Sequence, residues 1–227
     1  MLTCHLCLIV SRAWKCPRLN DTLMKIIAVG KNYADHALEF DGTTGKPAVP
    51  MIFMKPDSSI TKNGKHFYVP DFLGRVDYEA EIVVRINKLG KSIPARFAHR
   101  YYDAITVGID FTARDLQREL IKNGSPWELS KGFDSSAVLG EFRPVEDFDI
   151  DNIDFSLTID DKVVQSANTS EMLFKVDEII AYISRFCTLK TGDLIFTGTP
   201  AGSGPVSIGT HLKGYIGSDK VLDFHVR

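Results

Sequence analysis

Apolar residues along this chain fall into short blocks and alternating runs, punctuated by Gly, Pro, Asn and Asp. Residues 24–29 read as a short strand ending at Gly30, and residues 51–54 as another apolar segment. Residues 78–86 (Tyr-Glu-Ala-Glu-Ile-Val-Val-Arg-Ile) give the clearest strand signal, closed by the turn-like Asn87-Lys88-Leu89-Gly90. Pro94 suits the first turn of a helix reaching about Ala104, followed by a strand over 106–111. Thr112 is placed to cap a helix ending before Gly124. Residues 32–40 suit a short helix before a Gly- and Pro-rich loop, 41–50.

The second half is mostly strand-like. Residues 155–159 and 162–165 flank Asp160-Asp161, a plausible hairpin turn. Between 176 and 187, Val176, Ile179, Ile180, Ile183 and Cys187 share one helical stripe. Residues 194–196 form a strand entering the loop Thr197-Gly198-Thr199-Pro200-Ala201-Gly202, and a final strand pair ends in the alternation of 221–226. Strands outnumber helices and do not alternate with them regularly. The fold class expected is therefore α+β, β-rich, with an antiparallel or mixed sheet and peripheral helices.

The first 23 residues show no clear period, and Met24 opens Met-Lys-Ile-Ile-Ala-Val-Gly like a natural start. The division expected is an N-terminal extension, 1–23, and a single domain, 24–227. Cys4-His5-Leu6-Cys7 has one zinc-like spacing, but a matching second pair is missing. With the remaining Cys16 and Cys187 far apart, four cysteines make no disulfide framework, and a reducing, cytoplasmic setting is expected. A net charge of −2 without basic clusters argues against nucleic acid, and no apolar stretch approaches a membrane span.

Candidate chemistry centres on carboxylates. Glu79 and Glu81 lie two apart in a strand-like run, so both emerge on one face while Ala80, Ile82 and Val84 line the other. Like charges so close repel unless a cation lies between them. Asp110 closes another strand and offers a third carboxylate, a set suited to Mg²⁺ or Mn²⁺. On spacing alone, glutamates lining a solvated sheet face are the commoner outcome. Arg114 and Gln117 share a helical face after Asp110, and Lys131 sits in the loop-like Leu-Ser-Lys-Gly-Phe. His36 and Glu39, three apart on the first helix, would let the carboxylate orient an imidazole that moves protons. The same spacing also describes a surface pair. The loop 198–204 lacks the Lys-Ser/Thr ending of a phosphate-binding loop, which excludes that mode of nucleotide binding.

Four segments in register, DYEAEIVVRI, GIDFTARDLQ, PWELSKGFD and IFTGTPAG, resemble successive motifs of the fumarylacetoacetate hydrolase family. The likeness is to its short acylpyruvase and oxaloacetate decarboxylase branch and runs from about Met24 to the C-terminus. It implies a catalytic domain over 24–227, folded as a mixed β-sheet roll and working as a homodimer. It implies Glu79, Glu81 and Asp110 as ligands of Mg²⁺ or Mn²⁺. Lys131 would hold water or substrate oxygen, and Arg114, Gln117 and Thr199 would contact a small 2-oxo-carboxylate. NYADHALE resembles the lid of the branch, which makes His36 and Glu39 the proton-transfer pair. The activity implied is hydrolysis of a C–C bond in a 3-acylpyruvate through a metal-stabilised enolate, with oxaloacetate decarboxylation alongside. An isomerase or tautomerase using the same site, or a metal-binding scaffold without catalysis, stands as the alternative.

Overall fold

The computed structural model describes residues 24–42, 45–62 and 65–227. The extension 1–23, with its zinc-like cysteines, lies outside the described residues. Strands are numbered in chain order. Among the described residues the largest sheet has eight strands. They are β1 (Ile26–Gly30), β2 (Met51–Lys55), β3 (Ile60–Lys62), β5 (Ala80–Ile86), β6 (Tyr102–Asp110), β8 (Ala137–Leu139), β9 (Arg143–Pro144) and β12 (Leu194–Phe196). Its order is β2-β1-β12-β5-β6-β8-β3, with β9 also on β6. The β1–β12 and β3–β8 pairs are parallel and the rest antiparallel, so the sheet is mixed as expected.

A second sheet, β11-β10-β14-β15, joins β10 (Asp154–Ile159), β11 (Lys162–Asn168), β14 (His211–Ile216) and β15 (Asp219–His225). Both residues of the Asp160-Asp161 turn have positive φ (48° and 66°), the two-residue hairpin geometry that Asp tolerates. This sheet packs over β5 and β6, and one apolar core runs between them through Ile82, Val107, Leu157, Leu222 and Phe224. Phe67 and Phe111 stack there with ring centres 3.9 Å apart. Helix α4 (Val176–Phe186) buries Val176, Ile179, Ile180 and Ile183, the stripe its 3.6-residue period marks.

Four local expectations differ from the structure. Residues 95–100 form only a short 3₁₀ helix, because the strand after it begins at Tyr102 and claims the residues up to Ala104. Thr112 caps no helix. It pairs, with Ala113, in β7 against β4 (Val76–Tyr78), which also meets β13 (Gly204–Pro205). Lys131 ends the short helix α3 (Glu128–Lys131) and is not in a loop. The run 76–86 is also split: Glu79 stands between β4 and β5, at the point where the chain passes from the small sheet to the large one. That break sets the carboxylates at the lip of the main sheet. None of the described helices is long and apolar enough to cross a membrane.

Candidate active site

Glu79, Glu81 and Asp110 converge at the ends of β5 and β6. The register opposes Glu81 to Gly108, two residues before Asp110. A Cβ at Gly108 would stand 2.6 Å from a Val83 methyl, so glycine lets the two strands and the sheet around them close up. The three carboxylates are buried, and one oxygen from each lies within 4.8 Å of the others. The solvated sheet face that spacing alone favoured is therefore not what forms.

Each carboxylate is compensated differently. Glu79 accepts from Lys131 Nζ at 2.7 Å and from Arg114 Nη2 at 2.5 Å. Burial by itself would raise its pKa, but the charges of Lys131 and Arg114 overcome that and hold the carboxyl well below its usual range. Asp110 pairs with Lys131 Nζ at 2.8 Å on one oxygen and with Lys55 Nζ at 2.6 Å on the other. Glu81 accepts a backbone N–H from Gly198 at 2.6 Å. Burial, together with the charge of Asp110, pushes its pKa well up. Glu81 is thus the carboxylate that the protein's own cations do not balance.

This is the pattern a hard divalent cation fits. Three close carboxylate oxygens suit Mg²⁺ or Mn²⁺, and the added charge would let Glu81 ionise. The neighbouring lysines and the arginine meanwhile fix how the other two carboxylates point. Second partners of this kind orient ligands for a metal.

Lys131 is held tightly. Its ammonium donates to Glu79, to Asp110 and to Thr112 Oγ1 at 2.6 Å, so its three hydrogens are engaged. Its pKa is raised: burial alone would lower it, and the carboxylates outweigh that. It acts here as a fixed cation, and could meet a substrate oxygen only by exchanging one of these bonds. Arg114 opens helix α2 (Arg114–Lys122) and is buried. It donates to Asp77 at 2.8 Å, to Glu79, and to Gln117 Oε1 at 2.7 Å, so the three-residue spacing brings Arg114 and Gln117 together.

His36, on helix α1 (Ala34–Asp41), is buried and lines the same cleft as the carboxylates, with Arg114, Gln117, Lys131 and Thr199. Burial lowers the pKa of His36. Glu79 and Glu39 oppose that shift, while Lys131 and Arg114 reinforce it. The imidazole is neutral near pH 7 and ready to accept a proton. Glu39 is exposed, and its carboxylate accepts the Gly202 N–H at 3.0 Å, tying α1 to the Thr-Gly-Thr-Pro loop.

Several supporting residues were not singled out from sequence. Asn32 donates to the carbonyls of Thr197 and Phe174 and accepts the Phe174 N–H, fixing the loop root. Gly198 has φ 102° and its missing Cβ would stand 2.6 Å from Asn32 Cβ, so glycine is required where this N–H reaches Glu81. Gln165 accepts from the Ala80 N–H and donates to Thr199 Oγ1 and the Pro200 carbonyl, each at 2.9 Å. Lys55, Asp77 and Thr112 complete the set around the carboxylates.

Residues 25–223 match the fumarylacetoacetate (FAA) hydrolase C-terminal family, and the chain belongs to it. A mitochondrial oxaloacetate decarboxylase of Dictyostelium discoideum is 36% identical, covering 91% of this chain and 95% of its own length. A mitochondrial oxaloacetate tautomerase of Arabidopsis thaliana is 37% identical, covering 89% and 90%. The crystal structure of fumarylpyruvate hydrolase from Pseudomonas aeruginosa, in complex with Mn²⁺ and pyruvate, superposes with a TM-score of 0.84 at 34% identity, covering 92% and 93%. The members of the family that the chain resembles are enzymes.

Proposed function

We propose that this chain is a divalent-metal-dependent enzyme that cleaves a C–C bond in a small 2-oxo acid of the 3-acylpyruvate type, with oxaloacetate decarboxylation as a second activity. The observation that carries this reading is the uncompensated Glu81 beside Glu79 and Asp110, in a cleft that also holds a neutral buried histidine. Mg²⁺ or Mn²⁺ held by those three carboxylates would supply Lewis acidity to the 2-oxo group. A relative whose crystal structure contains Mn²⁺ and pyruvate supports the choice of ion and of ligand head.

The chain's own residues do the rest. Arg114, Gln117 and Thr199 line the cleft as donors and acceptors for the oxo-acid head. Gln165 holds Thr199 in place, and Arg114 is aimed by Asp77 and Glu79. A ring nitrogen of His36 takes a proton from the water that attacks the distal carbonyl. The same proton returns to the departing CH₂ carbon, giving a carboxylic acid and pyruvate. Glu39 keeps α1 closed over the loop through Gly202. Decarboxylation loses CO₂ in place of the acyl group and needs no attacking water.

A tautomerase is the second reading, favoured by relatives of that name and by a buried base beside the oxo-acid site. His36→Ala separates the two. Hydrolysis of an acylpyruvate should fall by about 10²–10⁴-fold, the usual span for losing a general base, while decarboxylation of oxaloacetate suffers less. Equal loss of both activities, with keto–enol exchange lost too, would favour the tautomerase. Loss of metal binding would make His36 a ligand and overturn the mechanism.

A further inference from the structure

Three histidines stand together at one end of the second sheet, and none of them lines the cleft. His211 opens β14 and His225 closes β15, and the register sets the two directly opposite each other. Beside β15, Phe67 bridges Val226 in parallel. Its N–H donates to the His225 carbonyl at 3.1 Å, and its own carbonyl accepts the Arg227 N–H at 2.7 Å. That pairing brings His66 alongside His225. Side chains alternate across extended segments, and Phe67, Leu212, Phe224 and Val226 are all buried in the core. His66, His211, Asp223 and His225 therefore share the outer face, in reach of water and dissolved ions.

The side chains meet as closely as the backbones. The rings of His211 and His225 have centres 4.0 Å apart and lie 9° from parallel, and the His66 ring centre stands 6.1 Å from that of His225. His211 Nε2 bonds Asp223 Oδ1 at 2.6 Å, so Nδ1 is the nitrogen it can offer to a ligand. A carboxylate on the second nitrogen is the partner that orients a metal-binding imidazole and sets its tautomer. Lys220 Nζ donates to the other oxygen of Asp223 at 2.6 Å and steadies it. Lost hydration, and then the charges of His211, Arg227 and His66, lower the pKa of His225. Its ring is neutral near pH 7, the form that binds metals. Stacked rings hold their nitrogens side by side. Turning one ring about χ2, a broad torsion in histidine, makes the nitrogens converge.

We propose that His66, His211 and His225 are the ligands of a second metal site, for Zn²⁺ or a similarly borderline-soft ion, which clamps segment 66–69 to the end of β15. Three imidazole nitrogens with a water as fourth ligand suit Zn²⁺, whereas Mg²⁺ and Mn²⁺ prefer the carboxylates of the cleft. The site stands whatever reaction the cleft performs. Its test is a calorimetric titration of Zn²⁺ into the full chain already saturated with Mn²⁺. The native protein should bind one more Zn²⁺ than His66→Gln/His225→Gln does. Asp223→Asn should keep that ion but bind it about 10–100-fold more weakly, the usual effect of removing a ligand's carboxylate partner. Zn²⁺ should also raise the thermal midpoint of the native protein more than that of the double variant, because the site exists only in the folded chain. Mn²⁺ affinity should be the same in every variant, which also shows that each is folded. Equal Zn²⁺ stoichiometry and affinity in the native protein and the double variant would overturn the site. His66 is exposed, so His66→Gln alone carries the same test, and undiminished Zn²⁺ affinity in it would overturn the site equally.

Discussion

Lys55 offers a quantitative test of how the carboxylate cluster is held. Its ammonium is fully buried, pairs with Asp110 at 2.6 Å, donates to Ser136 Oγ at 3.1 Å, and reaches the backbone carbonyls of Lys131 and Ser136. Lys55→Met keeps a stem of similar length and removes the charge. Breaking a buried ion pair from one side costs about 3–5 kcal/mol, because the remaining charge stays buried. Here Asp110 retains Lys131, and the Lys131 carbonyl still accepts from Ser136 Oγ at 2.7 Å, so the lower end applies. With about 3 kcal/mol lost and a urea slope near 3 kcal/mol per molar, the unfolding midpoint of the metal-free protein should drop by roughly 1 M. Saturating Mn²⁺ should narrow the gap, since the ion supplies positive charge where Lys55 supplied it. A midpoint shift under about 0.3 M with an unchanged slope, in metal-free protein, would show that the Lys55–Asp110 pair is not stabilising. The pair would then contribute nothing beyond its desolvation cost.

Two further outcomes follow from the same electrostatics. Glu81→Gln keeps the shape but removes the charge that the protein's cations leave unbalanced, so Mn²⁺ affinity by calorimetry should fall at least about tenfold. Unchanged affinity would remove Glu81 from the ligands. The pKa of His36 lies below its ordinary 6.5, and a divalent ion nearby pushes it the same way, so the acid limb of hydrolytic kcat/KM should lie below pH 6.5. The sign for stability is the same: as pH falls from 6.5 toward the lowered folded value, the unfolded chain takes up the proton first and stability declines. A limb centred above pH 7 would contradict a neutral buried base.

Much of the site was legible because its chemistry is written locally. The two-residue period of Glu79 and Glu81 gives two carboxylates on one face, and the three-residue step from Arg114 gives Gln117. The same alternation reaches back to Asp77. Lys55 was hidden because a lysine ending the apolar run Met-Ile-Phe-Met ordinarily points to water, and only its long-range partner Asp110 explains its burial. Thr112 reads as a cap by position, yet strand pairing with Asp77 takes it and Lys131 uses its hydroxyl. Gln165 belongs to the other sheet and meets Thr199 only through tertiary packing, which no spacing rule reaches. The split at Glu79 was equally invisible, since Val76 to Ile86 is continuous in pattern and diverges only because β4 and β5 find different neighbours.

The central claim is that Glu79, Glu81 and Asp110 hold a divalent ion that the chain needs to act on 2-oxo acids. The most direct measurement strips the protein with a chelator and follows turnover of oxaloacetate, an acylpyruvate and fumarylpyruvate side by side as Mn²⁺ is added back. Turnover should be lost on stripping and return in proportion to the ion bound, levelling at one Mn²⁺ per chain. Full turnover by the stripped protein, or none on any of the three at saturating Mn²⁺, would contradict it.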